Sequence, residues 1–268
     1  MTEPVIDLLD EVWQSILELG ESLTEAEWKQ PTGLPGWSVQ DNLSHITGTE
    51  LMMRGEPAPE VTPARTDHLH NPIGEMNELW VEARRHLPGQ MVLDEFRAAA
   101  AERLAEYRAM TPSELDAVGP TPVGTAPFRE FIAIRVMDSW AHEQDMRRAL
   151  DRPGHVTGPV VALSIGRVTK AMPMVVGKRA GAPDGSSVVF MITGDEGCVV
   201  PVVVAGRAGI ADSVPDQPTV ELRMDVDTYT ALGMGRVDPA AALADGQVTV
   251  EGDLDLGRSV VTSMNFMI

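Results

Sequence analysis

Cysteine is almost absent from this chain of 268 residues, and its scarcity limits the redox and metal chemistry that the sequence can support. The single cysteine, Cys198, excludes an intramolecular disulfide and a thiolate metal cluster, so histidine and carboxylate side chains must supply any metal ligands. A lone thiol within an apolar segment is typical of a buried, inert residue. These features favour a reducing compartment, and we expect a cytoplasmic protein.

Basic residues are also scarce, at 21 Lys and Arg against 40 Asp and Glu, which gives a net charge of -19. This charge would repel nucleic acid and anionic membrane surfaces, so we expect neither as a partner. Long apolar runs are missing too, because residues 199–205 are far fewer than the ~20 of a membrane span. The N-terminal residues are acidic where a signal peptide is basic, so we expect no leader.

The first part of the chain has the periodicity of a helical bundle. Apolar residues recur there at the three- and four-residue steps of amphipathic helices. Helices are predicted over residues 5–19, 39–53, 74–86, 91–110 and 125–150. Ser38 and Asp41 predict the start of the second helix, and Thr125 and Pro127 that of the last, as N-cap and first helical residue. Residues 54–72 and 110–126 are predicted loops.

The pattern changes after residues 151–158, where we place a boundary between domains 1–152 and 157–268. Apolar runs bounded by Gly, Pro and Asp are typical of strands. Strands are predicted over residues 187–193, 199–205, 219–224 and 247–251, and helices over 159–176, 226–232 and 256–267. We therefore predict an α+β protein of two domains, a helical bundle followed by a smaller α+β domain.

Polar residues of two predicted helices suggest a metal site. Asp138 and His142 are four residues apart and Asp145 follows three later, so the three side chains share one stripe of a helix. His45 lies in the middle of the helix over 39–53, away from its apolar positions. If these helices pack together, His45, Asp138 and His142 form a two-histidine, one-carboxylate set with open positions, as in catalytic metal sites. Spacing alone leaves open that they are ordinary core or surface residues.

Three segments carry a resemblance to a known family. Two of them resemble the N-terminal domain of the mycothiol-dependent maleylpyruvate isomerase family, a branch of the DinB-like metal-binding four-helix bundles: LTEAEWKQPTGLPGWSVQDNLSHITGTE and RVMDSWAHEQDMRRAL. The third is similar to the sterol-carrier-protein-like C-terminal domain of many members: ALGMGRVDPAAALADGQVTVEGDLDLG. The resemblance implies a divalent metal, usually zinc, on His45, Asp138 and His142, with Asp145 hydrogen-bonded to a ligand histidine or to a water. The chain departs from the family at Asp138, where the isomerases have Glu.

The resemblance also implies an activity that uses mycothiol, a low-molecular-weight thiol. A metal keeps the thiol as a thiolate, which adds to the double bond of a small electrophile; rotation and elimination then give the trans isomer. We expect a metal- and mycothiol-dependent isomerase of the maleylpyruvate type, or a thiol S-transferase where the elimination is lacking. The family uses an Arg of the C-terminal domain to bind a substrate carboxylate, which corresponds to Arg236. A bond from Arg236 to its own turn or to a neighbouring acid is the alternative.

Two other classes of function remain open from the sequence. A metal-bound water of lowered pKa would make the protein a hydrolase. A sterol-carrier-like domain would also suit a non-catalytic module that binds an apolar small molecule, with a vestigial metal site in the bundle. Metal analysis separates the binding module from the enzymes, and thiol dependence separates the isomerase or transferase from the hydrolase.

Overall fold

The protein is described here by a computed structural model, which covers residues 3–122 and 124–266. The chain divides into two compact units between His155 and Val156. The first unit consists of helices and a small hairpin, and the second combines helices with a five-stranded sheet. The predicted fold class, a helical domain followed by an α+β domain, is confirmed.

Four long helices of the first unit pack in pairs to form its bundle. In chain order, the unit contains α1 (Pro4–Glu21), α2 (Glu25–Trp28), α3 (Val39–Met53), α4 (Pro72–Glu82), α5 (Gly89–Ala109), α6 (Pro112–Leu115), β1 (Val118–Thr121), β2 (Gly124–Pro127) and α7 (Phe128–Leu150). Helix α1 packs against α5 and α7, α3 packs against the same two helices, and α4 also packs against α3. Helix α1 buries Ile6, Leu9, Trp13 and Ile16, at the steps that the sequence predicts.

Helices α3 and α7 differ from α1 because their buried residues include many polar ones. His45 and Glu50 of α3 are buried, as are Arg135, His142 and Glu143 of α7. Burying a polar or charged group is costly unless it is hydrogen-bonded or paired. Buried polar residues are therefore more informative about function than buried apolar ones, and here they are concentrated on two neighbouring helices.

The turn before α3 fixes the position of its first residues. The Trp37 N–H donates to the carbonyl of the residue three positions earlier, closing the turn over residues 34–37. Gly36 has a φ of 79°, which suits glycine at the third position of a turn that has proline at the second. Ser38 and Asp41 then exchange hydrogen bonds as a capping box. These residues therefore set both the start of α3 and the position of Trp37.

Two predictions for the segment before α7 are wrong. Residues 110–126, predicted as a loop, contain the short helix α6 and an antiparallel hairpin of β1 and β2. Each of these elements has four residues, too few for a periodic pattern to be recognised. Thr125 is not an N-cap, because it lies in β2 and α7 begins at Phe128. Pro127 takes the cap position instead, without a side-chain hydrogen bond.

The second unit is built around a mixed sheet. In chain order, it contains α8 (Pro159–Met174), a π-helical turn (Val175–Arg179), β3 (Ser187–Thr193), β4 (Val199–Ala205), β5 (Arg207–Ile210), β6 (Val220–Asp225), α9 (Val226–Gly233), α10 (Pro239–Ala244), β7 (Thr249–Gly252) and α11 (Leu254–Thr262). The strand order is β5-β4-β3-β6-β7, and only the β3–β6 pair among these is parallel. The short elements β5 and α10 were not predicted. Helix α11 ends before the predicted limit, Met267, which lies outside the described residues.

One stretch of the described residues, Pro159–Arg179, passes a length-and-composition test for a membrane span. It has 21 residues with a mean hydropathy of 1.4, and 44% of the tested window is buried inside the structure. Arg167 and Lys170 interrupt the apolar residues of this stretch, so it is not an unbroken apolar run. A core helix passes the same test, and α8 packs against β4, β5 and α9. The stretch therefore carries no argument for a membrane.

Candidate metal centre

The fold brings together the three residues predicted as metal ligands. His45 lies on α3, and Asp138 and His142 lie on α7, which packs against α3. His45 Nε2 is 3.4 Å from Asp138 Oδ2, and His142 Nε2 is 3.7 Å from Asp138 Oδ1. One potential ligand atom from each of the three residues lies within 4.8 Å of the other two. The carboxylate therefore lies within reach of both imidazoles.

This arrangement fits a divalent cation of the size of zinc. Ligand atoms around a tetrahedral zinc are separated by about 3.3 Å, given bonds of about 2.0 Å. The 3.4 Å between His45 Nε2 and Asp138 Oδ2 is close to that value. Two imidazoles and one carboxylate are a donor set for zinc or a similar transition metal. The buried His45 Nδ1 has no hydrogen-bond partner among the described residues. The contacts of the two Nε2 atoms with Asp138, at 3.4 and 3.7 Å, are longer than ordinary hydrogen bonds, so the facing ligand atoms are not closed into a tight hydrogen-bond network of their own.

Asn42 orients one of the two histidines. His142 Nδ1 lies 2.8 Å from Asn42 Oδ1, while the Asn42 amide nitrogen donates to the Ser38 carbonyl at 2.9 Å. Because a carbonyl oxygen only accepts, Nδ1 of His142 carries a hydrogen, and Nε2, which faces Asp138, is the nitrogen that can bind a cation. Asp145, predicted to be the partner of a ligand, lies 3.4 Å from the same Nδ1. Asp145 is thus beside the predicted ligand, but Asn42 makes the shorter contact.

Trp37 covers one side of the histidine pair. Its ring centroid is 5.3 Å from that of His45 and 5.7 Å from that of His142. The indole N–H donates to Glu78 Oε2 at 3.0 Å, and the same carboxylate oxygen is 3.2 Å from His68 Nε2. Glu78 is fully buried on α4, so it holds the indole in place from a third helix. The sequence places Trp37 next to α3 but does not distinguish this position from ordinary packing.

The electrostatic environment favours the protonation states that metal ligands require. Burial is the largest influence on His45 and lowers the pKa of its imidazole, against the opposing effect of Asp138. Burial also disfavours the charged form of Asp138, but Arg135 and His45 outweigh it and hold the pKa of this carboxyl well below its usual range. A neutral imidazole and an ionised carboxylate are the forms that bind a cation.

A buried ion-pair network beside the site was not predicted from the sequence. Arg135, one turn before Asp138, donates through Nη1 to Asp138 Oδ2 and through Nε to Glu50 Oε1, the latter at 2.8 Å. Glu50 Oε2 lies 3.3 Å from both Arg103 Nε and the Tyr107 hydroxyl on α5. The only sequence signal for this network is the i,i+3 spacing of Arg135 and Asp138, which surface ion pairs share.

Arg236, the predicted carboxylate-binding residue, lies in the second unit, just after α9. Its Nη1 donates to the Met234 carbonyl at 2.9 Å. Such a bond to its own turn was the alternative that the sequence left open beside binding of a substrate carboxylate. Gly235, between the two, has a φ of 72°, which gives the turn its shape.

Comparison with known families identifies the first unit. The family described as mycothiol maleylpyruvate isomerase N-terminal domain matches residues 9–147, which are 139 of the 268 residues. The chain belongs to this family. Membership confirms the resemblance drawn from the sequence and places the chain among enzymes of the isomerase type. The SCP-2 sterol transfer family matches residues 178–265, within the second unit.

Solved structures share the fold over nearly the whole chain. The crystal structure of the mycothiol-dependent maleylpyruvate isomerase is 16% identical with a TM-score of 0.59, and covers 93% of this chain and 92% of its own. A histidine-to-alanine mutant of that isomerase has the same identity and coverage with a TM-score of 0.57. A search of the curated proteins finds no match. At this identity the structural likeness establishes the fold alone.

Proposed function

We propose that the protein is a metal- and mycothiol-dependent enzyme of the maleylpyruvate isomerase type, in which a thiol adds to a small electrophilic substrate. The observation that carries the proposal is the convergence of His45, Asp138 and His142 within 4.8 Å inside a domain of that family. Neither the family match nor the geometry would support this function alone. Together they favour it over hydrolysis, for which no observation in the described residues speaks, and over simple binding, which the SCP-2 match of the second unit alone would suit.

Each residue of the site has a defined part in holding a divalent ion, for which zinc is the first candidate. His45 and His142 would bind it through Nε2, and Asp138 through its carboxylate. Such an ion, when bound, keeps a coordinated thiol in its thiolate form at neutral pH. Three protein ligands leave a position for an outside ligand, as catalytic sites require. Trp37 packs against both imidazole rings and restricts water on that side.

The proposal covers two outcomes that share the same first step. In an isomerase the thiol is eliminated after rotation about the former double bond, whereas in an S-transferase it stays on the product. The isomerase is our first choice because the matched family takes its name from that reaction. Binding of a substrate carboxylate by Arg236 stays a prediction. The cytoplasmic location also stays a prediction. It suits a cofactor that must remain a free thiol.

Calorimetric titration of the zinc-loaded protein with mycothiol tests the proposal. We expect saturable binding at one site per chain, and its loss when zinc is removed with a chelator. Incubation with a cis-configured unsaturated keto acid then distinguishes the outcomes, because an isomerase returns the trans form and a transferase returns a thiol adduct. The absence of binding heat from a protein that demonstrably carries zinc would contradict the proposal.

A further inference from the structure

One oxygen of the Asp138 carboxylate is held by a cation of the protein itself. Arg135 Nη1 donates to Asp138 Oδ2, the oxygen that also lies nearest His45 Nε2. The Arg135 side chain is only 5% exposed, and that of Asp138 is 16% exposed. A charge-assisted hydrogen bond in such a buried place is strong and directional. The orientation of this carboxylate therefore depends on where the guanidinium is held.

The guanidinium is in turn held by a second helix. Arg135 Nε donates to Glu50 Oε1 at 2.8 Å, and Glu50 is fully buried on α3, one and a half turns beyond His45. The other Glu50 oxygen faces Arg103 and Tyr107 of α5, each at 3.3 Å. Arg135 is thus held between Asp138 on its own helix and Glu50 on α3. A guanidinium held from both sides has little freedom to follow a moving carboxylate.

This arrangement is costly for the fold. The Arg135 Nη2 atom is buried and has no hydrogen-bond partner among the described residues. Leaving a buried charged donor unsatisfied costs free energy, and an ion pair in the interior often contributes less than apolar residues of the same size. Packing alone is therefore a poor explanation for a charged side chain here. What the guanidinium does contribute is a fixed orientation of Asp138.

We infer that Arg135 is a positioning residue for the candidate metal centre, and that the Glu50–Arg135 pair governs cation affinity without contacting the cation. The inference rests on the proposed function, because it requires that Asp138 be a ligand. Arg135 occupies Oδ2 and leaves Oδ1 facing His142 Nε2 at 3.7 Å. The Asp138 carboxylate is thereby held by a neighbour on its own helix. Hydrogen bonds to ligating carboxylates are a general means of tuning metal sites.

Two substitutions of opposite charge test the inference. Arg135→Gln removes a positive charge near the site, and Glu50→Gln removes a negative one. A purely long-range electrostatic effect would strengthen cation binding in the first variant and weaken it in the second. A positioning role predicts weaker zinc binding in both, by about 10- to 100-fold, because each variant frees Asp138. Competition with a chromophoric chelator measures the zinc affinity, and the absorption spectrum of the cobalt-substituted protein reports the ligand geometry.

Arg103→Gln is the matched control. Arg103 contacts the same Glu50 but has no contact with Asp138 among the described hydrogen bonds and ion pairs. We expect this variant to keep the wild-type zinc affinity and cobalt spectrum, while both change in Arg135→Gln and Glu50→Gln. If Arg135→Gln does not fold, Arg135→Lys is the substitute. A lysine keeps the positive charge but cannot contact Glu50 and Asp138 through two separate nitrogens, so we expect a smaller loss of zinc affinity than a full loss of the pair would give.

Three results would overturn the inference: wild-type zinc affinity in Arg135→Gln, tighter binding in that variant, or an equal loss in Arg103→Gln. Failure of the metal site itself is recognised separately with His142→Ala. Zinc retained by that variant contradicts the ligand assignment, whereas zinc lost there but kept in Arg135→Gln contradicts only the positioning role.

Discussion

Helix α7 and the residues that follow it carry two histidine–carboxylate clusters with opposite properties. The first is the candidate metal centre around Asp138 and His142. In the second, His155 Nδ1 lies 2.7 Å from Glu143 Oε2. The other Glu143 oxygen accepts hydrogen bonds from Ser15 at 2.6 Å and Arg147 at 2.7 Å. Both clusters are largely buried, and both combine histidine with acidic and basic side chains.

The clusters differ in whether burial or pairing prevails in setting the pKa of the histidine. In the second cluster both Glu143 oxygens are occupied by short contacts from the protein. Burial lowers the pKa of His155, but the hydrogen bond and charge of Glu143 outweigh it and raise that pKa overall. In the first cluster burial prevails and lowers the pKa of His45. A charged, paired histidine stabilises a fold, whereas the neutral imidazole of His45 has a lone pair available for a cation.

The largest expected contrast between the clusters comes from removing one histidine of each. His142→Ala should lower the affinity for zinc by more than about 100-fold, because losing a ligand costs more than losing a ligand's partner. His155→Ala should leave that affinity unchanged, since the described contacts of His155 do not include the three candidate ligands. Zinc content after dialysis, measured by atomic absorption, checks both variants, with circular dichroism to confirm folding. Equal zinc loss in both would remove the distinction between the clusters.

A smaller effect is expected from Asn42, which sets the tautomer of His142 in the first cluster. Asn42→Ala should weaken zinc binding by about 10-fold or more, since ligating imidazoles depend on the partner of their other nitrogen. Asn42→Asp is the matched comparison, because its carboxylate still accepts from His142 Nδ1 and should retain most of the affinity. Competition with a chelator measures the zinc affinity of both variants. Wild-type affinity in Asn42→Ala would mean that Asp145, at 3.4 Å, is the effective partner of His142.

The sequence predicts the long elements of both units because burial of one face imposes a period on them. Helix α1 is an example, since its apolar residues recur at helical steps and the fold buries most of them. Short elements such as α6, β1 and β2 were missed, because four residues rich in Gly and Pro carry no such period. The start of α7 was misplaced for a related reason, since Thr125 and Pro127 also suit the strand that precedes it.

The site was predictable only where one helix fixes the spacing. Asp138 and His142 are four residues apart, so the helix alone places them together. His45 was proposed as the third member on the condition that its helix packs against theirs, and the family resemblance implied the same residue. Asn42 and Glu50 flank His45 on α3, but their roles depend on how α3 packs against α7 and on which rotamers that packing allows. The sequence contains those residues without indicating which atoms meet.

The smallest expected effect, a pH dependence, belongs to the second cluster. Because the pKa of His155 is raised, its protonated form contributes stability that is complete below the ordinary pKa of about 6.5 and is lost as the pH rises through the folded value. His155→Gln should therefore lower the free energy of unfolding by about 1–2 kcal/mol near pH 5.5 and by less near pH 8.5. Urea unfolding of both proteins at the two pH values measures the difference. A loss that is equal or larger at the higher pH would contradict a charged His155.

Glu11 provides the control that separates the two acidic partners of His155. Its carboxylate lies 3.6 Å from His155 Nε2 and is 44% exposed, so solvent screens much of its charge, whereas Glu143 is fully buried at 2.7 Å. In an NMR titration of the His155 ring, Glu11→Gln should lower the midpoint slightly and leave it above that of a free histidine. A fall to the free value would assign the raised pKa to Glu11. The second cluster would then resemble the first, in which burial and not the paired carboxylate determines whether the histidine is charged.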